Sequence, residues 1–282
     1  MPLREIAHRK LSGTRDLLLD VWDTLARRRP PLVPPRRLRF VGDGDFAAIG
    51  REFSGHLQAL AGLTPRSRVL DAGCGVGRLA IPLLDVLSSE GRYEGFDIVP
   101  RAIRWCERAI APRHPHFRFT LADLGNGAYR RGHAGSAATF RFPYPEASFD
   151  VVVATSLFTH LLPAEACNYV AQIGRVLAPG GRCLVTWFVR NAEADALLLE
   201  DRAAIPFAHA YGDCLVMDRA VPAAAIAYPQ AGIEAMYARA GLTDVTLHPG
   251  AWCGRARFTS GQDIVIATKP GAAAHSRTGP SP

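Results

Sequence analysis

The residues of this 282-residue chain best suited to chemistry gather around Asp71-Ala-Gly73-Cys-Gly75-Val-Gly77-Arg78. Three glycines directly after an apolar run strip the Cβ atoms from a tight strand-to-helix turn, so a ligand can lie against bare backbone. That arrangement suits a nucleotide-like ligand, and the spacing narrows the choice. A dinucleotide fingerprint, G-x-G-x-x-G, would place its third glycine at position 78 and open a helix N-terminus to a pyrophosphate. Here that position is Arg78; the third glycine, Gly77, comes one residue early, and Asp71 stands two positions before the first. Two more carboxylates follow apolar runs of strand length, Asp97 in Phe96-Asp97-Ile98 and Asp123 in Leu121-Ala-Asp123-Leu124. A carboxylate at a strand's C-terminal edge, ~20 residues past such a loop, can accept hydrogen bonds from both hydroxyls of a ribose.

Other candidates lie farther along. His160, in Ser156-Leu-Phe-Thr-His-Leu161, follows a strand-like run directly, and its imidazole titrates in the range a general base needs. The plainer role for such a histidine is to bond its own loop or shape a pocket. His209, Tyr211 and Asp213 sit in a stretch without clean periodicity and are candidates for a substrate lid. His248, Trp252 and Asp263 flank the last strand-like runs. Trp252 with Arg255 is a candidate to stack on a ring or sugar, although a Trp packed at a strand end is commoner. Arg78 is expected to be a structural ion-pair partner rather than a substrate contact.

These residues need a frame. Buried-strand patterns fall at Arg68–Asp71, Tyr93–Asp97, Phe117–Leu121, Phe149–Thr155 and Arg182–Val189. Helical patterns between most of them cover Leu79–Leu87, Arg101–Ile110 and Ala164–Leu177, the last ended by Pro179-Gly-Gly181. Alternation of this kind predicts an α/β fold, a doubly wound, mostly parallel sheet with helices on both faces. A helix over Thr14–Arg28, an extended connector over Arg29–Arg36 and a helix over Asp45–Leu63 precede it. Residues 125–142 form a Gly-rich insertion, and 191–230 read as an irregular lid. A helix at Gly232–Ala240 and strands at Thr243–His248 and Asp263–Thr268 close the domain. The expected division is a basic extension at 1–44, a main domain at 45–270 and a disordered tail at 271–282.

Composition sets bounds. The net charge is +7, and residues 1–40 carry ten Lys/Arg against four Asp/Glu, leaving the remainder near balance. A basic arm can touch nucleic acid or a membrane surface. Yet Lys10 and Lys269 are the only lysines, a bias that reflects coding composition more than selection for phosphate contacts. The six cysteines are scattered without C-x-x-C pairs, which fits buried thiols in a reducing compartment and no structural zinc. No segment reaches the length of a membrane span and none reads as a signal peptide, so a cytoplasmic protein is expected.

Taken together, the loop, its carboxylates, the run Phe149-Asp-Val-Val-Val-Ala-Thr155 and the Arg175-Val-Leu-Ala-Pro-Gly-Gly181 turn resemble the motifs of class I S-adenosylmethionine-dependent methyltransferases, in order and spacing. The resemblance is dense over Arg68–Val189 and looser to Lys269. It implies a seven-stranded sheet whose last strand, Asp263–Thr268, runs antiparallel. It also implies S-adenosyl-L-methionine as cofactor, S-adenosyl-L-homocysteine as product, and no metal. The same resemblance puts Gly73, Gly75 and Gly77 at the methionine portion and Asp97 at the ribose, with Asp71 and Ile98 as further cofactor-binding candidates. Asp123 and Leu124 would hold the adenine, and Thr155 is a further cofactor-binding candidate. His160 becomes the candidate base, and 39–46 a candidate cover over the cofactor. No Asn/Asp-Pro-Pro-aromatic signature follows the fourth strand, no Pro-Cys pair marks a cytosine enzyme, and only Asp150 and Asn168 stay open as metal ligands. The leading expectation is O-methylation of a small molecule such as a sugar, glycolipid or secondary metabolite. Alternatives are a nucleic-acid methyltransferase using residues 1–40, a cofactor-binding protein without transfer activity, and, last, a nicotinamide dehydrogenase.

Overall fold

Short apolar runs buried on both faces become one seven-stranded sheet in the computed structural model, which describes Asp20, Trp22 and residues 32–38, 44–124, 135–200 and 203–271. Apart from Asp20 and Trp22, the expected helix over Thr14–Arg28 lies outside the described residues, as do most of the basic extension, residues 125–134 of the Gly-rich insertion and the tail after Gly271. The strands are β1 (Arg68–Ala72), β2 (Arg92–Asp97), β3 (Phe117–Leu121), β4 (Phe149–Ala154), β5 (Leu177–Trp187), β10 (Thr243–His248) and β11 (Asp263–Thr268). Their order across the sheet is β10-β11-β5-β4-β1-β2-β3. β1 to β5 pair in parallel, and β11 runs antiparallel to both of its neighbours, as the motifs imply.

Alternation along each strand decides what covers it. Val69, Val151 and Val153 face a layer made by α1 (Phe46–Leu60), α2 (Ala80–Leu83) and α3 (Pro100–Ala109), contributing Leu57, Leu83 and Ile103. Leu70, Val152 and Ala154 face the opposite layer, where α4 (Pro163–Val176) and α6 (Gln230–Arg239) supply Val170, Ile173 and Tyr237. Both layers are fully buried, each large apolar side chain adding roughly 1.5–3 kcal/mol of transfer free energy.

Three elements differ from expectation for local reasons. The helix expected over Leu79–Leu87 is the single turn α2 followed by turns, and Pro82 within it has no N–H to give the Arg78 carbonyl. The helix expected to end at Pro179-Gly-Gly181 passes at Val176 straight into β5; those three residues form its irregular start, where Gly180 N–H donates to the Lys269 carbonyl at 2.8 Å. The strand expected to run to Val189 stops at Trp187, and Val189 joins a second sheet.

That second sheet corrects the reading of 191–230 as irregular. β6 (Val189–Arg190), β7 (His209–Tyr211), β8 (Cys214–Val216) and β9 (Ile226–Pro229) order as β6-β9-β8-β7, with α5 (Ala192–Leu199) alongside. Strands of two to four residues are too short to show a period of two, and their core is completed from outside the segment by Phe188, Trp252 and Cys253. Trp252 packs against Phe188 and Phe207 with centroids 5.3 Å away in each case. Arg255 is buried, so neither it nor Trp252 is placed to stack on a ligand, and the ring-or-sugar role is corrected to a structural one. Both attach to Asp263, the first residue of β11. Its Oδ1 accepts from Gly250 N–H and the Arg255 guanidinium, each at 2.7 Å, and its Oδ2 accepts from Val189 N–H at 2.7 Å and the Trp252 indole at 2.5 Å.

Candidate functional site

The cleft lies where strand order reverses, at the C-terminal ends of β1 and β4, the usual ligand position in an open α/β sheet. Asp71, Gly73, Gly75, Asp97, Ile98, Thr155 and His160 line it, with about 900 Å³ of empty space open to solvent. Sequence reasoning placed all seven there. It did not single out Leu157 or Leu161, which line it as well; they stand in the same short segment as His160. Phe46, the first residue of α1, lines one side; residues 39–43 of the expected cover lie outside the described residues. The side chain of Asp45 caps α1 by accepting from Ala47 N–H (2.9 Å) and Ala48 N–H (3.0 Å).

The glycine loop is built around Asp97. Gly73 and Cys74 both donate to the Phe96 carbonyl, at 2.9 and 3.0 Å. Gly75 N–H donates to Asp97 Oδ2 at 2.9 Å and Val99 N–H to its Oδ1 at 2.8 Å. One carboxylate thus ties the loop after β1 to the end of β2, and each oxygen retains a further lone pair for a ribose hydroxyl. Burial raises the Asp97 pKa, and these backbone donors oppose the rise. Gly73, Gly75 and Gly77 all take positive φ, at 80°, 54° and 77°. Gly77, however, lies behind the cleft wall: a Cβ there would meet Ile110 Cδ1 at 2.9 Å and Cys106 Sγ at 3.3 Å, so its freedom serves packing of the loop on α3.

Asp71 is the most perturbed acid. Its Oδ2 accepts from the Tyr93 hydroxyl at 2.6 Å, while Oδ1 is buried with no partner. Burial pushes this carboxyl up to about 7, against the pull of Tyr93 and Arg78. An unfolded Asp titrates near ~3.9. Between that value and 7 the folded chain keeps a proton the unfolded chain has released, so this group lowers stability as pH rises through the window. Asp71→Asn is therefore expected to flatten the fall in urea midpoint between pH 4.5 and 7 in the ligand-free protein; an unchanged slope would count against a buried protonated Asp71.

His160 stands on a short 3-10 turn after β4. Its Nδ1 lies 3.1 Å from the Ala223 carbonyl, which can only accept, and the Ala224 backbone also bonds the ring. Burial lowers its pKa and holds the ring neutral. Beside it, Ser156 has φ 54°, a strained value for a non-glycine residue, held by Ser156 N–H donating to Thr186 Oγ1 at 2.7 Å. Ser156 Oγ lies 3.3 Å from Gln262 Oε1, just before β11.

A second, apolar hollow continues the cleft past Asp97, walled by Phe96, Ile98, Leu124, Leu157 and Tyr169. Leu124 is among its lining residues; its N–H, expected with Asp123 to hold an adenine, donates to the Ala122 carbonyl at 3.1 Å, and Asp123 is exposed. His209, Tyr211, Asp213 and His248 line neither cavity. His209 and Tyr211 belong to β7, and His248 ends β10. Arg78, expected to be an ion-pair partner, lines the cleft and makes no ion pair with any described residue. Asp150 and Asn168 are committed elsewhere: Asp150 takes two hydrogen bonds from the Arg68 guanidinium (2.6 and 3.1 Å), and Asn168 donates to Ala137 and Phe140. Among the described residues no cluster of His, Cys, Asp or Glu could hold a metal ion, and no helix is long and apolar enough to cross a membrane.

Sheet order, glycine loop and the carboxylate ending β2 have the arrangement that the class I S-adenosylmethionine-dependent methyltransferase motifs imply. Residues 69–181 match the family described as a methyltransferase domain. The chain is 30% identical over 125 residues to demethylmenaquinone methyltransferase of Deinococcus radiodurans, covering 44% of each. It is 32% identical over 162 residues to 27-O-demethylrifamycin SV methyltransferase of Amycolatopsis mediterranei, covering 55% of this chain and 53% of that one. It thus spans about half the length of these relatives. A solved structure of a Pyrococcus horikoshii protein shares the fold at TM-score 0.55 and 16% identity, covering 82% of this chain and 94% of that one.

Proposed function

We propose that this protein methylates an oxygen of a small organic acceptor, with His160 as the general base. The observation that carries the reading is His160 lining the same cleft as the glycine loop, with burial lowering its pKa so that the neutral ring is the form that takes up the proton of an alcohol. An alcohol needs such a base because its proton must leave, whereas an amine asks for less. The buried, unpartnered Oδ1 of Asp71 beside bare glycine backbone suits the ammonium of the methionine end, and Asp97 suits the ribose hydroxyls. The hollow of Phe96, Leu124 and Tyr169 suits the adenine. Bound in this way, S-adenosylmethionine supplies an electrophilic methyl group on its sulfonium. The chain's own work is then alignment and proton removal: Phe46 and Leu79 keep the cleft apolar, and Thr155 and Ser156 form its floor. Both relatives have names that specify small organic acceptors, and one specifies an oxygen.

A second reading has one observation in its favour. Arg37, at the end of the basic arm, shares a separate cleft with Arg101, Arg104, Arg108 and Trp105, a surface suited to phosphate. Incubation with methyl-labelled S-adenosylmethionine, a metabolite extract and total RNA separates the two. Label in a small-molecule methyl ether supports the proposal; label confined to RNA would overturn it.

A further inference from the structure

The arginine-lined groove lies between the 3-10 turn Arg36–Leu38 and the outer face of α3. Buried Asp20 holds that turn: its Oδ1 accepts from Arg36 N–H at 2.7 Å and its Oδ2 from Arg37 N–H at 3.3 Å. Arg101, Arg104 and Arg108 stand three and four residues apart, so α3 presents them on one side, over about 10 Å of helix. Arg37 joins them, and no carboxylate is among the described lining residues. Arg37, Arg104 and Arg108 make no ion pair with any described residue. Like charges gathered on one concave surface focus a positive potential, and the groove therefore attracts a multiply charged anion.

The floor narrows the chemistry. Pro35, Leu38 and Trp105 make it apolar, a surface from which a bare phosphate gains nothing and a phosphorylated ring gains contact. The Trp105 indole N–H is buried and bonded to no described residue, so the part of the ring that lines the groove is carbon, suited to stacking rather than hydrogen bonding. Trp105 and Leu38 are backed by Val76, Val99 and Ala102, and Val76 and Val99 also line the glycine-loop cleft, so the two hollows share a wall. A nucleic-acid strand uses several aromatic platforms for successive bases. Trp105 is the one aromatic side chain among the described lining residues. The groove encloses about 960 Å³ of empty space open to solvent, enough for one nucleotide.

We propose that this groove binds a single nucleotide-like ligand, its phosphates on Arg37, Arg104 and Arg108 and its ring against Trp105. The site is separate from the cleft and stands whichever acceptor the cleft takes. Calorimetry tests it with uridine 5′-diphosphate, uridine and pyrophosphate, in the presence of S-adenosylhomocysteine to fill the cleft. Uridine 5′-diphosphate should bind at one per chain, and uridine, which lacks the phosphates, about 10-fold or more weaker. Arg104→Gln combined with Arg108→Gln, both exposed positions, should weaken uridine 5′-diphosphate by a similar factor and leave S-adenosylhomocysteine within about 2-fold. Trp105→Leu should weaken uridine 5′-diphosphate about 5-fold or more and leave pyrophosphate within about 2-fold. No saturable binding of uridine 5′-diphosphate, equal affinity for uridine, or an unchanged affinity in the double arginine variant would overturn the proposal. So would a single-stranded RNA oligonucleotide that binds about 10-fold tighter than uridine 5′-diphosphate and loses that advantage in the double variant, which would give the groove to a strand.

Discussion

Asp263→Ala is expected to destabilise the protein by about 3–5 kcal/mol, the range for removing one partner of a buried ion pair. The variant strips the acceptor from four donors at once: two backbone N–H groups, the Trp252 indole and the Arg255 guanidinium. Asp263 is fully buried and Arg255 nearly so, so no water restores those bonds. Glu193 continues to pair with Arg255 at 2.9 Å, and this contact limits the loss rather than removing it. Asp263→Asn, which keeps one acceptor oxygen, should fall between the two. Urea denaturation followed by fluorescence measures the change as a lower midpoint at unchanged slope. A shift below about 0.5 kcal/mol, the level of an ordinary surface change, would show that the network does not hold the small sheet to the main one.

His160→Ala is expected to lower kcat on an alcohol acceptor by about 10²–10⁴-fold, the usual contribution of a positioned base. S-adenosylhomocysteine affinity should change little, because the ligand's fixed contacts are assigned to the glycine loop and Asp97. The pH profile gives the sharper discrimination. Burial lowers the His160 pKa, so the acid limb of kcat/KM should fall below the ordinary histidine value of ~6.5 and vanish in the variant. Turnover equal to the unmodified protein's, or an acid limb that survives the substitution, removes His160 as the base.

Much of the architecture was legible because local pattern and ligand chemistry coincide around β1 and β2. The run Arg68–Asp71 is apolar, ends on a carboxylate and meets glycines at once, so strand, turn and binding loop share one signature. What was not legible depended on partners far away in sequence. Trp252 and Arg255 read as ligand contacts until Asp263 and Phe188 were seen to bury them. The segment 191–230 read as irregular because its strands are too short to show periodicity and borrow their core from elsewhere. Gly77 belongs to the glycine signature, yet its neighbours are Cys106 of α3 and Ile110 just after that helix, which no loop pattern displays. Arg78 was judged by the habit of surface arginines to form ion pairs, and only the geometry of the cleft sets it apart.

Calorimetric titration of the unmodified protein and Asp97→Ala with S-adenosylhomocysteine, and separately with NAD, tests the cofactor assignment most directly. The fold and loop predict one S-adenosylhomocysteine per chain, at least ~10-fold weaker binding when Asp97 can neither hold Gly75 nor reach the ribose, and no saturable binding of NAD. Saturable NAD binding with none of S-adenosylhomocysteine would contradict it.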